Sequence, residues 1–139
     1  MVELLNRSEF EAQFSLQTPG AKHGVALLFI DLDDFKGIND TCGHQQGDKA
    51  LIEFAKIIRQ TIRKDDLAAR LGGDEFVILL YLDDIAIAQD IGELIIKKLD
   101  QLTRIDDFDV DGLGCSIGLA YSQSNTVKYQ TIMKCADLA

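Results

Sequence analysis

Short apolar runs along the chain predict strands. The run at 25–32 is too short for an isolated helix and predicts a buried strand that ends among acidic residues. Two further runs, 67–71 and 76–81, are joined through Gly72 and Gly73. Short apolar runs joined by a Gly-Gly turn predict a β-hairpin.

Longer stretches have apolar residues at helical spacing. They predict a short N-terminal helix capped by Ser8, long amphipathic helices at 47–64 and 85–102, and a helical tail at 127–139. Residues 108–110 and 114–121 are expected to form another antiparallel strand pair. Because a hairpin interrupts this order of strands and helices, we predict an α+β fold with a central mixed β-sheet, rather than a doubly wound fold.

Composition narrows the class of function. The 139 residues suit one domain with a real core. A net charge of −9 argues against nucleic acid or an anionic membrane as the main partner. No apolar run approaches the ~18 residues of a membrane span. The three cysteines are odd in number and lack CxxC spacing, which favours reduced thiols and a cytoplasmic location.

Acidic residues end two of the predicted strands. Asp31, Asp33 and Asp34 follow the first run, and Asp74 lies in the hairpin turn. With the backbone carbonyl of Leu32, such carboxylates form the modest ligand set that Mg²⁺ accepts alongside substrate phosphates. The alternative is a solvated acidic loop. The acidic cluster also fits aspartyl phosphatases and receiver domains, but these classes are less favoured, because no strand-end lysine follows the turn.

A second pair of polar residues flanks a glycine-containing loop. A carboxylate such as Asp48 can accept hydrogen bonds from N1–H and N2–H₂ of guanine, and an amide such as Asn39 can meet another edge of the base. A site of this kind would reject adenine, because its buried polar groups would stay unpaired. The alternatives are that Asp48 caps a helix and that Asn39 is a turn residue.

Taken together, these motifs resemble the GGDEF-domain diguanylate cyclases over nearly the whole chain. The matching stretches are Asp31-Leu32-Asp33-Asp34-Phe35-Lys36-Gly37-Ile38-Asn39-Asp40, Gly43-His44, Gly47-Asp48 and Gly72-Gly73-Asp74-Glu75-Phe76. The resemblance implies condensation of two GTP into cyclic di-GMP and two pyrophosphates with Mg²⁺ or Mn²⁺. It also implies a fold similar to nucleotide cyclase and polymerase palm domains.

The resemblance assigns roles residue by residue. Asp31, the Leu32 carbonyl and Asp74 would bind metal. Glu75 would help to deprotonate the attacking hydroxyl, and Lys36 would neutralise phosphate charge. The substrate contacts would be Asn39 and Asp48 for guanine, the backbone N–H groups of Asp34 and Phe35 for phosphate, and Gly72 and Gly73 for close approach.

The resemblance also implies partners and regulation. Each 3′-hydroxyl would attack the other nucleotide's α-phosphate across a homodimer. Arg63 and Asp66 match the family's RxxD site, where cyclic di-GMP would bind as an inhibitor. Residues 1–139 are expected to be a single domain excised from a longer multidomain protein, truncated at both ends, with sensory or effector domains flanking it. The alternative is a non-catalytic GTP or cyclic di-GMP receptor that controls a neighbouring domain such as a phosphodiesterase, which an eroded turn would favour.

Overall fold

Within the residues that the structure describes, a first helix is followed by a strand, a helix, a hairpin, a helix, three strands and a helix. A computed structural model describes residues 4–20, 24–33, 44–102, 104–105, 108–109, 114–123 and 127–138. The helices are α1 (Arg7–Gln17), α2 (His44–Thr61), α3 (Ile85–Asp100) and α4 (Tyr129–Leu138), with a 3₁₀ turn at Thr18–Gly20. The strands are β1 (Val25–Asp33), β2 (Leu67–Gly72), β3 (Glu75–Tyr81), β4 (Arg104–Ile105), β5 (Phe108–Asp109) and β6 (Gly114–Ser122).

The central sheet has the strand order β2-β3-β1-β6, and each neighbouring pair is antiparallel. Strands β1 and β2 run in the same direction, but β3 lies between them. Among the described residues, the parallel contribution is a single bridge between Leu5 and Ala69 at the β2 edge. The predicted α+β class is therefore confirmed, and in this part of the chain the mixed character of the sheet is limited to that bridge.

Two local predictions are wrong. Strand β5 pairs with β4, whereas the segment predicted as its partner forms β6 and pairs with β1 over nine residues. A nine-residue ladder satisfies far more backbone groups than a two-residue pair can. Helix α1 begins at Arg7, ahead of the predicted cap Ser8. Its N-cap is Asn6, which forms a capping box with Glu9.

The core has two layers because β1 alternates strictly. Ala26, Leu28, Ile30 and Leu32 face α2 and α3, whereas Val25 and Leu27 face α1 and α4. On the α2 side, Phe54 packs edge-on against Phe76 with ring centroids 4.9 Å apart. Such aromatic pairs add about 0.5–1.5 kcal/mol to the burial of their area. The contact anchors β3 one residue after Glu75.

Within the ranges given above, no helix is both long and apolar enough to cross a bilayer.

Candidate functional site

The β2–β3 hairpin ends in a turn that requires glycine at two successive positions. Gly72 has φ of 148° and Gly73 has φ of 51°. Both values lie in the region that side chains disfavour. Among the described residues, a Cβ atom at either position would meet nothing within 4 Å, so the turn is open on the side that faces them. The predicted hairpin is confirmed, and its tip leaves room for a ligand to lie against the backbone.

Two successive carbonyl groups of this turn are held from outside it. The Nε and Nη2 groups of Arg70 donate to the Gly73 carbonyl at 3.0 and 2.9 Å. The backbone N–H of Leu32 on β1 donates to the Asp74 carbonyl at 3.1 Å. The turn is therefore attached both to its own hairpin and to the neighbouring strand.

The second attachment brings the acidic clusters together. In the ladders, Asp31 of β1 stands opposite Glu75 on one side and Ser116 on the other. By alternation, Asp31 and Asp33 share the α1 and α4 face of the sheet, at an end of β1 where both side chains are exposed. The predicted meeting of the strand-end carboxylates is thus present in the fold.

Crowding raises the pKa of Asp31 above its ordinary value of 3.8. The side chain reaches solvent, yet partial loss of water is the largest cause. The charges of Asp74 and Glu75 come next, followed by a hydrogen bond to Asp74 and the charge of Asp33. Each cause disfavours the carboxylate form. A bound cation would reverse that preference.

These residues fit a magnesium ion. Asp31 and Asp74 are close enough to share a hydrogen bond, and Leu32, the residue after Asp31, donates its backbone N–H to the Asp74 carbonyl. The described residues, including those of this site, contain no group of three or more His, Cys, Asp or Glu side chains arranged to hold a metal. Two carboxylates leave coordination positions free, and Mg²⁺ fills such positions with water and substrate phosphate.

Asp33, the other carboxylate on this face, has a different partner. It accepts a hydrogen bond of 2.9 Å from the Ser116 hydroxyl on β6. This bond directs Asp33 toward the edge strand, whereas Asp31 faces Asp74. Strand alternation alone places both aspartates on one face and does not separate their roles.

Asp48 lines a cavity of about 460 Å³ beside the hairpin, a volume typical of small-molecule sites. The other lining residues are Leu4, Leu51, Ile52, Ala55, Arg70 and Phe76. Helix α2 begins at His44, four residues earlier, so the alternative that Asp48 caps this helix is wrong. The exposed carboxylate of Asp48 thus borders a cavity whose other lining residues are mostly apolar, an arrangement that suits a planar base with a polar edge.

Four of the predicted site residues lie outside the described residues: Asp34, Phe35, Lys36 and Asn39. The phosphate contacts and the second guanine contact therefore stay predictions.

The predicted inhibitory pair, Arg63 and Asp66, lies at the other end of the β2–β3 hairpin. Asp66 is only 2% exposed. Its Oδ2 accepts from the Arg63 backbone N–H at 2.8 Å and from Nε at 3.2 Å, and its Oδ1 accepts from Nη2 at 3.2 Å. The Arg63 side chain is 64% exposed and also donates to the carbonyl of Tyr81. The two residues already pair with each other.

Sequence reasoning missed Arg70 and Ser116. Arg70 is the single charged residue in the apolar run that precedes the turn, three positions before Gly73. That position could have signalled a contact with the turn. Ser116 gives no comparable signal, because its contact with Asp33 spans 83 residues of sequence.

Comparisons with known proteins agree with this geometry. The family model described as "Diguanylate cyclase, GGDEF domain" matches residues 1–139. The probable diguanylate cyclase DgcE of Escherichia coli K12 is 38% identical over 142 residues, which cover 100% of this chain and 13% of that protein. The chain spans well under half the length of the first curated relatives that it matches.

Solved structures show the same fold. The GGDEF domain of TpbB (also called YfiN) from Pseudomonas aeruginosa matches with a TM-score of 0.89 and 36% identity, covering 100% of this chain and 89% of that chain. The GGDEF domain of DgcB from Caulobacter crescentus, in complex with c-di-GMP, matches with a TM-score of 0.86 and 27% identity, covering 98% and 80%. This chain therefore belongs to the GGDEF domain family of diguanylate cyclases.

Proposed function

We propose that the chain is a catalytic domain that condenses two GTP into cyclic di-GMP and two pyrophosphates. The observation that supports it best is the pair of carboxylates, Asp31 and Asp74, beside an open glycine turn. Arg70 connects this turn to the cavity that contains Asp48, since it bonds Gly73 and also lines the cavity. A nucleotide could place its base in the cavity and its phosphates at the turn.

Each condensation is an in-line displacement. The 3′-hydroxyl of one nucleotide attacks the α-phosphorus of the other, and a new oxygen–phosphorus bond forms. The bond from the α-phosphorus to the oxygen that bridges to the β-phosphate breaks, and pyrophosphate leaves. The hydroxyl proton passes to a base, a role we assign to Glu75, which stands opposite Asp31 in the ladder. Two such steps close the cyclic product.

Each domain would bind one nucleotide, so we propose a homodimer in which two sites face each other. Asp31, Asp74 and the Leu32 carbonyl would hold Mg²⁺ or Mn²⁺. Bound there, the ion would neutralise charge that develops on the transferred phosphoryl group. Lys36 and the backbone N–H groups of Asp34 and Phe35 would contact the phosphates. The open backbone of Gly72 and Gly73 would let the nucleotide lie against the turn.

Guanine would be selected by hydrogen bonds. Asp48 would accept from N1–H and N2–H₂, and Asn39 would contact another edge atom. Inosine triphosphate keeps N1–H but lacks the amino group, so it separates the two bonds to Asp48. Asp48→Ala should raise the KM for GTP and reduce the preference for GTP over inosine triphosphate. An unchanged preference would remove Asp48 from base recognition.

We also propose product inhibition at Arg63 and Asp66. Arg63 is exposed and could contact a cyclic dinucleotide, whereas Asp66 is buried and engaged by Arg63. Binding through Asp66 would need that pairing to loosen. Arg63→Ala should therefore relieve inhibition by added cyclic di-GMP. Unchanged inhibition would reject this assignment.

Activity is tested with GTP and Mg²⁺ on the purified full-length parent protein. Mass spectrometry should detect cyclic di-GMP, and a coupled assay should detect two pyrophosphates for each cyclic product. Asp74→Ala should abolish both. A full-length protein that binds GTP or cyclic di-GMP without turnover, and matches its Asp74→Ala variant, would instead be a receptor. Substrate GTP and the free thiols suit the cytoplasm, where we place the domain next to flanking regulatory domains.

A further inference from the structure

The ladder of the β2–β3 hairpin is irregular next to the Gly72-Gly73 turn. Register shifts between Arg70 and Gly72, and both Gly72 and Gly73 have positive φ. Glycine loses more conformational freedom on folding than other residues do. A Gly-Gly tip therefore needs outside contacts before the next residue, Asp74, can hold one direction.

Arg70 supplies one of these contacts with two charged hydrogen bonds to a single carbonyl. Its Nε and Nη2 groups lie 3.0 and 2.9 Å from the oxygen of Gly73, whose carbonyl carbon is bonded to the nitrogen of Asp74. Hydrogen bonds from a charged donor are roughly twice as strong as neutral ones. The guanidinium thus fixes the peptide plane that leads into Asp74.

The same side chain borders the proposed nucleotide cavity. Arg70 stands opposite Phe76 in the ladder, so both project to the α2 side, and both line the cavity with Asp48. Filling the cavity would restrict the arginine, and through it the turn.

From these contacts we propose that Arg70 is a positioning residue, which aligns Asp74 for the reaction through the Gly73 carbonyl. The inference rests on the proposed cyclase function. It assigns Arg70 an effect on the chemical step, because a misplacement of about 1 Å in such a site can lower the rate by about 10²-fold. A purely structural arginine would change stability and leave the rate of the folded enzyme unchanged.

The test uses Arg70→Lys, Arg70→Met and Arg70→Ala in the full-length protein, with Arg59→Met as the control. Arg59 is an exposed arginine near the end of α2, about eleven residues or ~16 Å along the helix from Asp48. Arg70→Met should lower kcat about 10- to 100-fold, with KM for GTP changed less than about 3-fold. Arg70→Lys should resemble it, since one ammonium cannot reproduce the two-pronged contact.

Two readouts separate positioning from stability. Added guanidinium ion, at millimolar concentration, should partly restore kcat of Arg70→Ala, whereas ammonium should not. Amide hydrogen exchange at residues 72–75 should be faster in Arg70→Met than in the wild-type protein, and unchanged in Arg59→Met. Unchanged kcat in Arg70→Met would overturn the proposal. Unchanged exchange would also overturn it, as would a loss of activity explained entirely by a raised KM.

The exchange measurement does not depend on catalysis. If the wild-type protein makes no cyclic di-GMP, the proposed function fails, and exchange at 72–75 still decides whether Arg70 holds the turn. If the protein is active and exchange is unaffected by Arg70→Met, the positioning role fails alone.

Discussion

Replacing Asp66 by alanine should destabilise the fold far more than replacing Arg63, although the two residues form one ion pair. The asymmetry follows from their surroundings. Asp66 is 2% exposed and also accepts from the backbone N–H of Tyr81 at 3.5 Å, whereas the Arg63 side chain is 64% exposed. The carboxylate joins the loop after α2 to the end of β3.

Removal of the carboxylate leaves donors without a partner. The backbone N–H of Arg63 loses a bond of 2.8 Å, and that of Tyr81 loses a longer, weaker one. An unsatisfied buried donor costs about 1–3 kcal/mol, and these two bonds are partly buried. We expect Asp66→Ala to lower the free energy of unfolding by about 2–4 kcal/mol. Arg63→Ala removes a largely solvated partner, and exposed ion pairs contribute about 0–1 kcal/mol, so about 1 kcal/mol is expected.

Thermal and urea unfolding at neutral pH measure the difference. At this chain length, about 3–4 °C in Tm corresponds to 1 kcal/mol. Asp66→Ala should therefore lose about 6–16 °C and Arg63→Ala about 4 °C or less, with Asp66→Asn between them. Equal losses would refute the reasoning, because they would show that the backbone donors find other partners. For product inhibition, Arg63→Ala is the cleaner variant.

Three further predictions concern other parts of the molecule. Asp31→Asn should abolish product formation yet slightly raise the Tm of the metal-free protein. Because the pKa of Asp31 is raised above 3.8, its neutral form stabilises the fold at low pH, and this stabilisation is lost as pH rises. The gain in Tm from asparagine should therefore disappear below about pH 3, and a gain that persists there would contradict the prediction. Cys115 is half-buried, and burial raises the pKa of its thiol from 9.0 to about 11. At pH 8 iodoacetamide should therefore modify it about 100-fold more slowly than an ordinary thiol, as followed by peptide mass mapping. Equal rates would contradict the raised pKa. Gly24→Ala should lower the free energy of unfolding in urea by about 1–3 kcal/mol, because its Cβ would lie 2.6 Å from the Ser122 carbonyl oxygen. Gly92→Ala should cost less, because its Cβ would lie 3.3 Å from a methyl group of Leu28. The reverse order would contradict the packing.

Much of the fold near the site was predictable because its signals are local. The Gly72-Gly73 turn between apolar runs predicted the hairpin, and helical spacing predicted α2 and α3. The strand-end position of Asp31 predicted a neighbour for Asp74. Such signals depend on backbone dihedral angles and on side-chain periodicity, which a few adjacent residues determine.

The prediction of strand pairing was wrong where partners are far apart in the sequence. Strand β6 pairs with β1, more than 80 residues earlier, rather than with β5, which lies nearby in the chain. The choice depends on which ladder covers the core and satisfies the most backbone groups. Asp66 shows the same limit for a single residue, since an RxxD pattern does not reveal that its carboxylate is buried.

The sequence by itself determined the fold class, the glycine turn, the candidate metal carboxylates and the family resemblance. Only the tertiary structure decided which groups meet: Asp31 with Glu75, Asp33 with Ser116, and Arg70 with the Gly73 carbonyl. The physical reason is that a few adjacent residues determine the local dihedral angles, whereas these contacts depend on strand register and on side-chain directions. Register and direction are set by packing the whole core.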